Sequence, residues 1–249
     1  MNYLPESRGG KINPVVIRVD QETRDLLDSE LRRVFKKLDP ETEIPEIDID
    51  TVNAEWQEAE TGERLSNTVI LCLHGGGYIT GSAAMERTAT LKLAQGGEAR
   101  VFAVDYRLAP QHPFPAALLD AIVAYKYLVD PPQDASHKAV DSRQLIIGGD
   151  SAGVYLIPFI VLMKGGLCIA LMTFLAHSET LPLPAGLLAI SPLLDLTGSF
   201  PSTNIDSGLD WLPCLRKTPF IPKPSEIWPP SKPRFDFYTD LPLNPLVSP

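Results

Sequence analysis

Four short apolar runs constrain this chain most: Val69–Leu73, Val101–Val104, Leu145–Ile147 and Gly186–Ile190. Each stands far enough from the next for a helix to return the chain to the same edge, which is the signature of a parallel sheet. Between the runs, Ala83–Gln95 and Pro115–Val129 read as helices. The second is opened by Pro113 and Pro115 and closed before Pro131 and Pro132. The expected architecture is a doubly wound, mainly parallel α/β layer. A single domain spanning residues 1–249 is expected, a length that buries one sizeable core.

Upstream of the first run, Gln21–Asp39 carries Leu26, Leu27, Leu31, Val34, Phe35 and Leu38 among charges. Their rhythm of about 3.6 residues predicts an amphipathic helix, and residues 1–45 are expected to be a helical segment. At the other end, residues 201–249 contain eleven prolines. So many missing N–H donors exclude helix or ladder, and irregular, loosely packed chain is expected there.

The formal charge of −9 argues against nucleic acid, whose binders cluster Lys and Arg. The densest basic stretch, Arg32, Arg33, Lys36 and Lys37, reads as the solvated face of a helix. Cys72, Cys168 and Cys214 are an odd number with no metal-like spacing, so reduced thiols are expected. Residues Met1–Pro14 lack the apolar core and cleavage site of a secretory signal, which favours the cytoplasm. Val154–Ala176 approaches the length of a membrane span. Lys164 near its middle costs about 2.5–3.5 kcal/mol on insertion scales, so a span is the poorer reading.

The chemistry sits at the ends of two of the runs. Gly149-Asp150-Ser151-Ala152-Gly153 fits G-x-S-x-G where the strand Leu145–Ile147 should turn into a helix. A serine on that turn exposes its hydroxyl, and the flanking glycines avoid collisions with neighbouring elements. By composition alone such a match turns up in about one chain in ten of this length. The second motif decides the matter. His74-Gly75-Gly76-Gly77 closes the run Val69–Leu73, and a glycine-rich strand end lets backbone N–H groups converge on a developing oxyanion.

With HGGGY at His74–Tyr78, DYRLAP at Asp105–Pro110, HPFPAA at His112–Ala117, GDSAG, and SPLLDLT from Ser191, the sequence resembles the hormone-sensitive-lipase group of α/β-hydrolases over roughly Val69–Pro201. The resemblance implies a serine carboxylesterase or lipase without a cofactor or metal, acting on a small-molecule ester. Ser151 is the implied nucleophile, and the N–H groups of Gly75, Gly76 and Ala152 the implied oxyanion hole. In that group DYRLAP is a buried ion-pair and turn element, HPFPAA packs a helix on the sheet, and the aspartate at Asp195 is structural. The resemblance leaves the oligomeric state open.

Two departures qualify the resemblance. The triad order of this fold is Ser, then Asp or Glu, then His, and His177 is the one histidine after Ser151. On a helix started by the serine it would lie roughly 39 Å away. The similar proteins bear their acid and histidine on loops after two further strands, so this chain is expected to stop short of them. In addition, Val154–Lys164 stands between GDSAG and Gly165-Gly166, where the group runs on directly, and Pro158 is expected to break a helix there. Impaired hydrolysis is the expectation; the alternative is a non-catalytic α/β-hydrolase-like protein that binds an acyl ligand.

Overall fold

The computed structural model describes residues 10–40, 47–59, 66–150 and 165–190. Within these lie six strands: β1 (Gly10–Arg18), β2 (Thr51–Ala59), β3 (Val69–Leu73), β4 (Arg100–Asp105), β5 (Leu145–Asp150) and β6 (Gly186–Ile190). Four α-helices accompany them: α1 (Gln21–Leu38), α2 (Ala83–Gly96), α3 (Ala116–Val129) and α4 (Gly165–His177). The strands form one sheet in the order β1-β2-β4-β3-β5-β6.

The four strands built from the apolar runs, β4, β3, β5 and β6, are mutually parallel. Their side chains alternate between two cores. Val69, Leu71, Leu73, Phe102 and Val104 join α1, α3 and α4 on one face, while Ile70, Cys72, Val101 and Ala103 meet Ala83 and Ala94 of α2 on the other. Helices thus cover both faces, as a doubly wound layer requires. β6 is the outermost described strand on its side, and Leu187, Leu188 and Ile190 are partly exposed although the sequence is apolar at every position but its glycine.

Two strands escaped the sequence reading. β2 pairs antiparallel with β4, and β1 antiparallel with β2. The segment expected to be helical is therefore a strand followed by a helix. α1 matches the amphipathic stretch, capped by the Asp20 carboxylate, which accepts from the Thr23 N–H at 2.8 Å. Gly10–Arg18 are extended. Pro14 lies within β1, which is tolerable because an edge strand need not donate every ladder bond. β2 hid itself differently, with Glu55 and Gln57 at positions where a covered strand normally carries apolar residues. Both are buried, and α2 supplies their partners: Arg87 pairs with Glu55 at 2.5 Å, and the Thr90 hydroxyl donates to Gln57.

In the turn after β4, Arg107 pairs with Asp120 of α3 at 2.9 Å. Asp105 accepts the Ala83 N–H at the start of α2, at 2.6 Å. Asp120 is fully buried inside the almost wholly buried helix α3, so its charge requires this partner.

A third polar cluster joins the far end of α4 to α1. Glu30 accepts from Arg33, from the Ser178 hydroxyl at 2.6 Å and from the Glu179 N–H at 3.0 Å, while Arg33 also donates to the His177 carbonyl at 2.6 Å. Burial works against the Glu30 charge, but these hydrogen bonds outweigh it and hold the carboxyl down at about 2. A depressed folded-state value stabilises the fold above the ordinary carboxylate range, and that stability is lost as pH falls toward 2. Glu30→Gln is expected to cost about 2–3 kcal/mol near neutral pH, measured by urea denaturation. The gap from the parent should close as the pH is lowered through the acid range; a gap independent of pH would show that the charge plays no part.

Candidate active site

β3 and β5 are parallel neighbours with Leu73 opposite Gly149. The chain leaving β3 at His74 and the chain leaving β5 after Asp150 therefore emerge side by side at the C-terminal edge. From β3 the chain goes through α2 to β4 on one side, then through α3 back past β3 to β5 on the other. That reversal of strand order is where open α/β sheets form their ligand crevice.

The loop after β3 has an unusual backbone. Gly76, Gly77 and Gly81 have φ of 117°, 58° and 102°, and Tyr78 has φ 66°. A Cβ on Gly76 would stand 2.1 Å from the Thr80 carbonyl oxygen, and one on Gly81 2.2 Å from the Gly75 oxygen. The carbonyls are tied down one after another. The Tyr106 hydroxyl donates to the His74 carbonyl at 2.7 Å, with the two rings stacked 4.1 Å apart. Nδ1 of His74 lies 2.8 Å from the Gly75 oxygen, and the Thr80 N–H donates to the Gly76 oxygen at 2.9 Å.

The amides of the loop divide. The Gly75 N–H donates to Oε1 of Glu86, in the first turn of α2, at 2.5 Å. Neither the Gly76 nor the Gly77 N–H donates to any described residue. Of the two loop glycines expected to serve as oxyanion donors, Gly75 has its N–H on Glu86, and Gly76 donates to no described residue.

On the β5 side, Gly149 is needed for packing. A Cβ there would lie 2.4 Å from Sγ of Cys168 and 2.8 Å from the Leu73 carbonyl oxygen. The first turns of α4 thus rest directly on the end of β5. Ser151, Ala152, Val154–Lys164, Asp195, Cys214 and residues 201–249 lie outside the described residues.

The remaining titratable candidates stand elsewhere. His177 ends α4 with Nδ1 2.8 Å from the Thr173 carbonyl. The helix runs from Gly165, so the 39 Å estimate gives way to about 13 Å of rise between the Cys168 contact and His177. A crossover helix between parallel strands carries the chain back to their N-terminal edge, so His177 lies at the end opposite the glycine loop. His112 is exposed, while its neighbour Phe114 packs on Phe35 at 5.8 Å. Burial raises the Asp105 carboxyl above the usual range, against the pull of the Ala83 N–H. Among the described residues no three His, Cys, Asp or Glu side chains converge as a metal site, and no helix is long and apolar enough to cross a membrane. A groove of about 810 Å³ beside Arg18, Asp20, Lys126 and Asp130 includes none of the loop residues 74–77.

Residues 70–213 match the alpha/beta hydrolase fold family. The chain belongs to that family. Among similar proteins, an ethyl acetate hydrolase of Pseudomonas putida is 30% identical over 201 residues, covering 78% of this α/β-hydrolase and 59% of the relative. An acetyl-hydrolase of Streptomyces hygroscopicus is 34% identical over 156 residues, 61% of this chain and 45% of that one. The chain thus spans about half the length of these relatives. Among solved structures, the esterase EstE5 soaked with p-nitrophenyl butyrate superposes with a TM-score of 0.54 at 29% identity, covering 76% of this chain and 65% of that one. An esterase from the bacterial hormone-sensitive lipase family gives 0.53 at 27% identity, over 75% and 64%. The resemblance read from the motifs is therefore shown, and the α/β-hydrolase fold with it.

Gly149→Ala is expected to destabilise the α/β-hydrolase by about 1–3 kcal/mol, because Cβ has no room between Cys168 and Leu73. Adding Cys168→Ala should restore only part of the loss in a thermal melt, since the Leu73 backbone oxygen still obstructs. Full restoration would show that the strand end has slack.

Proposed function

We propose that this α/β-hydrolase is a carboxylic ester hydrolase for small esters, with Ser151 as nucleophile. The serine Oγ attacks the ester carbonyl carbon and its proton passes to a base. The carbonyl oxygen becomes an oxyanion, collapse expels the alcohol, and water then releases the acid from the acyl-enzyme. Oxyanion charge is taken by Gly76, with Gly77 in place of Gly75, and by Ala152. The observation that carries the reading is the adjacency of β3 and β5 at the switch point, together with two loop amides that donate to no described residue. Preoriented donors of this kind are commonly the largest single contribution to acyl transfer. The relatives' names, ethyl acetate hydrolase and acetyl-hydrolase, support a short acyl group.

Proton transfer limits turnover. His177 is the sole histidine after Ser151 and stands at the opposite edge of the sheet. An unassisted serine hydroxyl is a poor nucleophile, so slow turnover by this chain is part of the proposal. With p-nitrophenyl acetate, the parent chain is expected to exceed the uncatalysed rate by no more than about 10³–10⁴-fold, with Ser151→Ala close behind. A full esterase rate abolished by Ser151→Ala would show that another group completes the triad. Saturable ester binding without turnover or fluorophosphonate labelling would favour the non-catalytic acyl-binding reading.

A further inference from the structure

Resting on the ester-hydrolase reading, we propose that Glu86 is a positioning residue of the oxyanion loop. Its carboxylate draws the Gly75 amide inward and so fixes the two following amides facing out. The loop's internal bonds hold its carbonyls: Tyr106 on His74, His74 on Gly75, Thr80 on Gly76. Among its first three glycine amides, the Gly75 N–H alone donates to a described residue, and that residue is the side chain of Glu86. Gly76 and Gly77 have positive φ, a region in which glycine moves freely, so the orientation of their amides is not secured by steric exclusion.

Glu86 is itself well anchored. It lies in the first turn of α2, where a negative charge meets the positive end of the helix dipole. The turn is fastened to β4 by the Asp105–Ala83 hydrogen bond and closed by the Ser82 cap, while Thr90 Oγ1 lies 3.1 Å from the Glu86 carbonyl oxygen. The next residue, Arg87, is locked to Glu55 of β2. Glu86 therefore offers a rigid acceptor from the neighbouring element, and an N–H bond to a carboxylate is about twice as strong as a neutral one.

An oxyanion gains nothing from a nearby carboxylate, so the acceptor geometry and not the charge is what matters. With p-nitrophenyl butyrate and the full chain, Glu86→Ala should lower the kcat above the uncatalysed rate about tenfold or more, with KM changed less than about threefold. Glu86→Gln keeps an acceptor oxygen and should recover most of the rate. In ¹⁵N–¹H spectra the Gly75 amide proton should be far downfield in the parent, shift upfield in Glu86→Ala, and shift less in Glu86→Gln, with the remaining amides of the fold in place. A kcat untouched by Glu86→Ala, a Glu86→Gln variant as slow as the alanine, or a Gly75 amide indifferent to both would each overturn the proposal. A parent rate above the uncatalysed one, scored in parallel, separates this from the parent reading. If the parent chain gives no rate above the uncatalysed one, the hydrolase reading fails and the role falls with it, while the Gly75 amide still reports whether the Glu86 contact exists.

Discussion

The register of Leu73 against Gly149 is the constraint on which the rest of the molecule depends. Two parallel strands must end together for the segments leaving them to face one crevice, and the end of the second must be bare for a helix to rest on it. Gly149 meets the second condition, since Cys168 and the Leu73 carbonyl occupy the space a side chain would take. The alternation of Leu71 and Leu73 toward α3 and α4, and of Ile70 and Cys72 toward α2, locks the register. A slip of one residue would turn every one of those side chains to the wrong core.

Around that strand pair, buried charges fasten helices to the sheet at chosen points. Glu55 with Arg87 and Asp105 with the Ala83 amide hold α2; Arg107 with Asp120 holds α3; and Glu30 with Arg33 and Ser178 holds the end of α4 against α1. Such pairs add little net stability over apolar packing, yet removing one partner leaves an uncompensated charge and costs about 3–5 kcal/mol. Their value here is geometric. Each fixes where along its axis a helix sits, and α2 in turn fixes Glu86 under the glycine loop.

These facts sort what the sequence disclosed from what it did not. The four parallel strands and the helices following the first two were legible because their residues are apolar by local rule, with glycine or proline at the boundaries. β2 was not, because Glu55 and Gln57 break its pattern, and only the fold shows that Arg87 and Thr90 answer them. β1 was not, because Lys11, Asn13 and Pro14 suit an edge strand as well as a loop. At the site, HGGG marked the loop but not the partner of its first amide. A glycine motif tells where backbone can approach a ligand, whereas the Gly75 amide is claimed by a glutamate eleven positions away whose partner no local pattern names.

On the proposed reading, oxyanion stabilisation belongs to the edge where β3 and β5 end, built from backbone and secured by polar contacts. Proton transfer needs a base at that same edge. His177 follows Ser151 in sequence, as the triad order demands, but lies at the end of a helix that must carry the chain back to the start of the next parallel strand. The Ala185 N–H, just before β6, bonds the Leu145 carbonyl at the start of β5, which shows that the chain after His177 has reached the far edge. Its Nδ1 is directed to the Thr173 carbonyl and its own carbonyl is held by Arg33. Rotating the imidazole cannot bring it across the thickness of the sheet edge to edge, so order along the chain and position in space part company at this residue. On the proposed reading a base able to serve Ser151 stands beside the glycine loop, and the β5–α4–β6 crossover, which returns the chain to the opposite edge, rules out His177 for that place.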